Sequence, residues 1–117
     1  MRHEETKLQI RIVTLYSYIL RKDVLFWHTP NGGKRTKREA GKLKAMGVLP
    51  GVPDLILMSK AGPVFVEVKI EGGSLTDAQK DFRDNVIAMG WSFRTVTSLE
   101  DARRVALDFG LTNAVPF

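Results

Sequence analysis

The sequence of 117 residues contains no cysteine and only two histidines, His3 and His28. It can therefore form no disulfide, no cysteine-ligated zinc site and no thiol nucleophile, and a histidine-built transition-metal site is disfavoured. The donors that remain for a metal ion are oxygen atoms. Oxygen ligands favour Mg²⁺ or Mn²⁺, so we expect one of these ions if the protein uses a metal.

Long apolar runs and a nucleotide-binding loop are also missing. No stretch approaches the roughly 18 to 20 residues that a membrane span needs, and the polar segment 1–5 is unlike a signal peptide. We therefore expect a cytoplasmic protein with no membrane partner. No GxxxxGK[ST] motif is present, which disfavours a kinase or an NTPase. The length predicts a single domain over residues 1–117.

Positive charge exceeds negative charge, with a formal net charge of +5. Most of the excess lies between residues 34 and 44, where Glu39 is the one acidic residue and the basic residues are Lys34, Arg35, Lys37, Arg38, Lys42 and Lys44. One interpretation of such a run is a solvated face of the protein that binds no partner. It can also be a loop and short helix that bind the phosphates of a nucleic acid without reading sequence. Its position directly before the apolar and charged stretch at 51–69 favours this second interpretation.

Residues 51–69 have the pattern of a β-hairpin. Two runs rich in β-branched and large apolar residues, 51–58 and 64–69, are separated by turn-forming residues at 59–63. Side chains alternate along a strand, so Glu67 and Lys69 share a face. If the two arms pair antiparallel, the start of the first arm lies opposite the end of the second. Asp54 then approaches Glu67 and Lys69.

These charged residues have two interpretations. Asp54 can be an ordinary turn residue, with Glu67 and Lys69 forming an exposed ion pair on an edge strand that contributes little stability. The apolar neighbours on both sides instead indicate strands covered on both faces, where buried carboxylates need a compensating cation or partner. Two carboxylates and the main-chain carbonyl of Val68 would then hold Mg²⁺. Lys69 would hydrogen-bond an attacking water or a phosphoryl oxygen, as phosphodiester hydrolysis requires.

The flanking segments predict an α/β protein with a small mixed sheet flanked by helices. We expect helices over residues 4–21, from a capping box at Thr76–Gln79 to Gly90, and from Ser98 to about Phe109, with strands at 24–27 and 91–97 and a turn at 28–33. The tail 111–117 has no assignment. The predicted core residues of the three helices are Leu8, Ile12, Leu15, Tyr16 and Ile19, then Phe82, Val86 and Met89, then Leu99, Ala102, Val105, Ala106 and Phe109.

Three polar residues in the flanking segments allow both a structural and a functional role. Glu5 can interact with the dipole of the first helix or extend into the site. Gln79 is explained by its capping box, and it can equally serve the site. His28 is better explained as a hydrogen-bonded structural residue than as a ligand.

Pro53-Asp54 followed by Glu67-Val68-Lys69 resembles the signature of PD-(D/E)XK nucleases. The surroundings narrow the resemblance to the VRR-NUC domain, especially its small stand-alone phage-type members, over roughly residues 5–97. The matching segments are ETKLQ at 5–9, PNGG at 30–33, LKAMG at 43–47, GVPDL at 51–55, FVEVK at 65–69 and GSLTDAQ at 73–79. Val68 stands where leucine is common and Thr76 where serine is usual, and neither change removes a functional group.

The resemblance implies a Mg²⁺- or Mn²⁺-dependent endonuclease on a restriction-endonuclease-like core with the element order αβββαβ. Stand-alone members are similar to homodimeric Holliday-junction resolvases. Carried over by position, the catalytic residues are Glu5, Asp54, Glu67, Lys69 and Gln79, and the metal ligands are Asp54, Glu67 and Val68. Glu4 competes for the role of Glu5, but only Glu5 keeps the spacing to Leu8 and Gln9.

The leading hypothesis is a dimeric, structure-selective DNA endonuclease that acts on branched DNA, in a bacterial host cell if a phage encodes it. One alternative is a non-catalytic nucleic-acid-binding or assembly module on the same fold. Another is a nuclease that acts on linear duplex DNA.

Overall fold

In the described residues four strands form one mixed sheet, three of the four helices pack around it, and the fourth projects away from it. The computed structural model describes residues 3–30 and 36–113. Along the chain the elements are α1 (His3–Ile19), β1 (Leu25–His28), α2 (Lys37–Ala45), β2 (Leu55–Ser59), β3 (Gly62–Val68), α3 (Asp77–Ala88), β4 (Ser92–Val96) and α4 (Leu99–Asp108). The spatial order is β1-β2-β3-β4. The first three strands are antiparallel, and β4 joins β3 in parallel after the α3 crossover. The predicted α/β class is confirmed.

The β2–β3 hairpin is tighter than the sequence indicated. Ser59 pairs with Gly62, which leaves only Lys60 and Ala61 in the loop instead of the predicted turn over 59–63. The Ala61 N–H donates to Ser59 Oγ at 3.1 Å, and this bond closes the turn. Two-residue loops match the twist of antiparallel strands, so both strands extend further than their apolar residues alone indicate.

The core lies between one face of the sheet and the pair α1 and α4. The Tyr16 hydroxyl donates to the Ala102 carbonyl at 2.7 Å and ties the two helices together. Burial of Tyr16 raises the pKa of its hydroxyl, which remains a donor. The buried apolar cluster consists of Ile12, Tyr16, Leu20, Val24, Leu55, Leu57, Val64, Val66, Val68, Val96, Ala102, Val105, Ala106 and Leu111.

Helix α3 covers the other face of the sheet, and it begins with the predicted capping box at Thr76 and Gln79. The rings of Phe65 and Phe82 meet edge to face with centroids 5.4 Å apart. Val86 is buried as predicted, but the predicted burial of Met89 is wrong, because its side chain is 72% exposed. The helix ends at Ala88, so Met89 lies beyond the last turn that faces the sheet.

Helix α2 projects away from this body. Thr36 caps it by accepting a hydrogen bond from the Glu39 N–H, and none of its residues is buried. It packs against none of the other helices and strands in the described residues. Tertiary contacts therefore do not explain its sequence, which is dominated by charge. Lys34 and Arg35 lie outside the described residues.

The first part of the unassigned tail packs beside the end of α1. Leu111 is buried, and its carbonyl accepts a hydrogen bond from the Arg21 N–H at 2.9 Å. Leu20 and Thr112 form an isolated antiparallel bridge. Residues 114–117 lie outside the described residues. Over residues 3–30 and 36–113, no helix combines the length and apolarity needed to cross a membrane.

Candidate active site

One cleft collects all five predicted catalytic residues. Its volume is about 1020 Å³, and its lining comes from α1, the end of β1, the loop before β2, the end of β3 and the start of α3. Glu5, Asp54, Glu67, Lys69 and Gln79 all contribute to that lining. Residues far apart in the chain therefore share one solvent-accessible space.

The hairpin register brings Asp54 and Glu67 together. Leu55 pairs with Val66, so one further step along each strand places Asp54 opposite Glu67. The Val68 N–H donates to Asp54 Oδ2 at 2.9 Å and fixes that carboxylate. β3 lies between β2 and β4, and the exposed fraction is 3% for Glu67 and 8% for Lys69. The alternative of an exposed ion pair on an edge strand is therefore wrong.

The main chain of Asp54 is held from the edge strand. Its carbonyl oxygen accepts from the Thr29 N–H at 3.2 Å and lies 2.7 Å from His28 Nδ1. A carbonyl can only accept, so His28 Nδ1 carries the proton and Nε2 is the nitrogen left for other contacts. His28 thus makes a hydrogen bond to the main chain, as the structural interpretation predicted. Its ring also lines the cleft.

Gln79 combines the structural and functional contacts that the sequence left open. Its side-chain Oε1 accepts from the Thr76 N–H at 2.9 Å, and its main-chain N–H donates to Thr76 Oγ1 at 3.2 Å. These two hydrogen bonds complete the capping box. Its Nε2 donates to Glu67 Oε2 at 2.9 Å. The cap thus holds the amide in the orientation that presents a donor to the central carboxylate.

A glycine allows the loop that carries Asp54 to touch α3 directly. Gly51 has φ +81°, and a Cβ atom there would overlap the main-chain carbonyl of Ala78 in the first turn of α3. Only glycine adopts this conformation without strain and leaves the space that the contact requires. The backbone contact between Gly51 and Ala78 therefore helps to set the distance between Asp54 and Gln79.

Burial and mutual repulsion disfavour the charged forms of the two carboxylates. Burial, followed by the charge of Asp54, raises the pKa of Glu67 to about 8. Burial is also the main cause of the raised pKa of Asp54. Lys69 opposes both shifts, but its Nζ is 3.9 Å from Glu67 Oε2, which is long for a direct ion pair. The pair therefore binds a proton near neutral pH when no cation compensates it.

The chemistry of these donors fits a hard divalent cation. The adjacent carboxylates of Glu67, which is buried, and Asp54, which is partly buried, both have raised pKa values and gain from a bound positive charge. Carboxylate oxygens suit Mg²⁺ and Mn²⁺. In the described part of the chain, no three His, Cys, Asp or Glu side chains are grouped as metal ligands. A cation between Asp54 and Glu67 would therefore need water or main-chain ligands as well, as Mg²⁺ commonly does.

Helix α1 contributes one predicted residue to the cleft and one that the sequence pattern did not single out. Glu5 is only 8% exposed and faces the cleft, whereas Glu4 is exposed. Gln9, one turn further along α1, is also 8% exposed and lines the cleft. A signal for Gln9 was present, because a polar residue stands between Leu8 and Ile12 on the apolar face of the helix.

The predicted DNA-binding residues of α2 do not reach the cleft. Lys37, Arg38, Lys42 and Lys44 are exposed, and the lining of the cleft includes no residue of α2. No ion pair in residues 3–30 and 36–113 involves these four side chains. Their charges are therefore available to a ligand in solution.

Comparisons with known proteins agree with this architecture. The family model described as the VRR-NUC domain matches residues 4–99. The fold is similar to that of a solved structure described as a "VRR_NUC domain protein", with 23% identity and a TM-score of 0.73 over 96% of this chain and 93% of that chain. No curated protein matches the sequence significantly. Because the family model covers most of the chain, the protein belongs to the VRR-NUC domain family, a family of nucleases.

Proposed function

We propose that this protein is a Mg²⁺- or Mn²⁺-dependent endonuclease that hydrolyses DNA phosphodiester bonds. The observation that carries the proposal is the pair of adjacent carboxylates in an open cleft, Glu67 buried and Asp54 partly buried, with Lys69 next to them. Two neighbouring carboxylates with raised pKa values destabilise the fold, and such groups are typical of functional sites. Binding a cation opposite a phosphate is the function that this donor set fits best.

Each residue of the cleft has a defined task in this proposal. Asp54, Glu67 and the Val68 carbonyl hold the cation, which supplies an acidified water and neutralises the charge that develops on the phosphate. Lys69 orients the attacking water or a phosphoryl oxygen as a point charge. Gln79 fixes the Glu67 carboxylate through its 2.9 Å hydrogen bond. Glu5 extends from α1 toward the hydration shell of the cation.

DNA binding is the task we propose for α2 and the segment before it. The helix is exposed along its length, carries a cluster of basic residues and packs on no other described element. An arm of this kind follows the phosphate backbone and adds affinity that falls with salt. Contacts to phosphates carry no sequence information, so in this proposal preference among DNA substrates comes from shape. Lys34 and Arg35 lie outside the described residues, and we include them in the proposal because they precede this helix in the sequence.

A branched DNA substrate and a homodimer complete the proposal. A two-fold axis relates two identical active sites, and two sites can cut two strands of a junction symmetrically. Size-exclusion chromatography with light scattering measures the mass directly. A mass equal to the 13.1 kDa monomer at all concentrations would remove the dimer from the proposal.

The first test is a cleavage assay with Mg²⁺ and with Mn²⁺ on a four-way junction, a Y-fork, a nicked duplex and a linear duplex. Glu67→Gln is the control, because it keeps the size of the side chain and removes its charge. Symmetric junction cuts that are lost in Glu67→Gln support the full proposal. Equal cutting of linear duplex keeps the nuclease and removes the structure selectivity. Absence of metal-dependent cutting on every substrate favours a non-catalytic DNA-binding module.

A second test concerns the basic arm and compares two variants that remove the same charge. Lys37→Gln/Arg38→Gln changes two exposed residues of α2, and Arg103→Gln/Arg104→Gln changes two exposed residues of α4. Each lost phosphate contact lowers the slope of log K against log salt by about 0.9. We expect the α2 variant to lose up to about 2 in this slope and the α4 variant to retain it. Equal slopes for both variants would mean that α2 is only a solvated face and does not bind DNA.

A further inference from the structure

Gln9 contains a buried oxygen atom that has no hydrogen-bond partner. Its Oε1 is enclosed by protein, and no other side-chain nitrogen or oxygen in residues 3–30 and 36–113 is both buried and unpaired. Leaving such an acceptor unsatisfied destabilises a fold by about 1–3 kcal/mol. A leucine or methionine at this position of α1 would fill similar space without that loss. The packing of the helix therefore does not account for the amide.

The location of Gln9 points to a ligand in the cleft. It lies one helical turn after Glu5, both side chains are 8% exposed, and both line the cleft that contains Asp54 and Glu67. Residues four apart lie next to each other on one face of a helix. A carboxylate and a carbonyl oxygen thus form a pair of acceptors on the α1 side of the cleft.

The chemistry of the unpaired atom limits what it can bind. A carbonyl oxygen accepts hydrogen bonds only, so its partner must carry a proton. Phosphodiester oxygens carry none, so the phosphate itself cannot pair with Gln9. Lys69 is the cleft-lining ammonium in the described residues, and its Nζ already lies toward Glu67, where its charge opposes the raised carboxylate pKa values. Water in the hydration shell of a cation at Asp54 and Glu67 is a donor that meets this requirement.

We propose that Gln9 is a positioning residue that accepts a hydrogen bond from a water molecule in the hydration shell of the cation at Asp54 and Glu67. This inference rests on the proposed function. Glu5 lies beside the same water and accepts from it as well. An amide oxygen does not remove a proton at neutral pH, so Gln9 orients the water and takes no part in proton transfer.

The test replaces Gln9 with methionine, which has a similar length and no carbonyl. We expect Gln9→Met to keep or raise the melting temperature of the cation-free protein, because it removes an unsatisfied acceptor. We expect the rise in melting temperature on adding Mn²⁺ to be smaller than in wild type. On the preferred substrate, kcat should fall tenfold or more while KM stays within twofold.

Two further variants separate positioning from a structural effect. Gln9→Glu keeps an acceptor at the same distance and should retain at least threefold more activity than Gln9→Met. Thr14→Val, on an exposed part of α1 outside the cleft lining, should behave as wild type in both assays. A melting temperature that falls by several degrees in cation-free Gln9→Met would overturn the proposal, as would wild-type kcat in that variant or no advantage of glutamate over methionine.

The melting assay keeps this inference distinct from the proposed nuclease activity. If the wild-type protein cuts no DNA but is stabilised by Mn²⁺, the catalytic proposal fails and Gln9→Met still tests the water site. Undiminished stabilisation of that variant by Mn²⁺ then overturns the role of Gln9. A wild-type protein that Mn²⁺ does not stabilise overturns both proposals.

Discussion

The raised pKa of Glu67 predicts an unusual pH dependence of stability. In the folded protein the group titrates near 8, and in the unfolded chain it titrates near its ordinary value of 4.5. Between these two values the folded state binds more protons than the unfolded state, so the free energy of unfolding decreases as pH rises. The raised pKa of Asp54 acts in the same direction. The contribution is fully present below pH 4.5 and lost by about pH 8.

The size of the effect follows from the width of that window. Each tenfold change in proton affinity corresponds to about 1.4 kcal/mol, so raising the pH from 4.5 to 7 lowers the free energy of unfolding by about 3 kcal/mol. This figure is an upper limit, because relaxation of the cleft and entry of water reduce the effect. For a chain of 117 residues, this corresponds to a fall of about 12 °C in melting temperature at most. A bound cation replaces the proton, so Mn²⁺ should restore the lost stability at pH 7–8.

The measurement is thermal melting from pH 4.5 to 8, with and without Mn²⁺, for wild type and Glu67→Gln. A glutamine can still accept from the Gln79 amide, and it has no charge to titrate, so other groups cancel in the comparison. We expect the variant to melt above wild type at pH 7.5 without metal, to depend less on pH and to gain little from Mn²⁺. The reasoning would be refuted if the melting temperatures of the two proteins changed in parallel with pH. It would also be refuted if the melting temperature of wild type rose more steeply with pH than that of the variant.

Three further predictions concern the supports of the site. Glu5→Gln and Glu4→Gln should each lose about 0.3–1 kcal/mol of helix-dipole stabilisation, measured by thermal melting. Only Glu5→Gln should lose DNA cleavage. Equal cleavage by the two variants would mean that Glu5 only interacts with the helix dipole. Gly51→Ala should lower the free energy of unfolding in urea by at least about 1–3 kcal/mol, because its positive φ and its contact with α3 exclude a Cβ atom, and an unchanged midpoint would contradict that contact. Gln79→Ala should reduce cleavage more than Thr76→Ala at equal loss of stability, because only Gln79 also donates a hydrogen bond to Glu67. Equal cleavage by the two variants would mean that Gln79 only caps the helix.

Local sequence signals predicted most of the fold. The antiparallel hairpin, the helix cap at Thr76 and the apolar stripe of α1 depend on interactions over a few residues, and each appears as expected. The errors occur where an element ends. The hairpin loop is shorter than its turn-forming residues indicated, and Met89 lies past the last turn of α3 although its spacing continues the buried face.

The placement of the predicted site residues could be derived from the sequence only in part. Strand alternation and antiparallel pairing were enough to bring Asp54 toward Glu67. The contact between Gln79 and Glu67 was not decided, because the capping box explains the residue completely until its side-chain Nε2 is seen to donate to Glu67. Gln9 was missed although it stands on the apolar face of α1, because that position alone does not show that the helix face lines a cleft.

The amino-acid sequence specifies the types of chemical group that this protein can use. It contains carboxylates, one central lysine and no cysteine, and local patterns place these groups on particular strands and helices. Tertiary packing sets which groups share a cleft and how strongly their charged forms are disfavoured. Those properties depend on the depth of burial and on contacts between residues distant in the chain. The energy of a charge changes with its surroundings, so the raised pKa of Glu67 and the unpaired oxygen of Gln9 arise from packing.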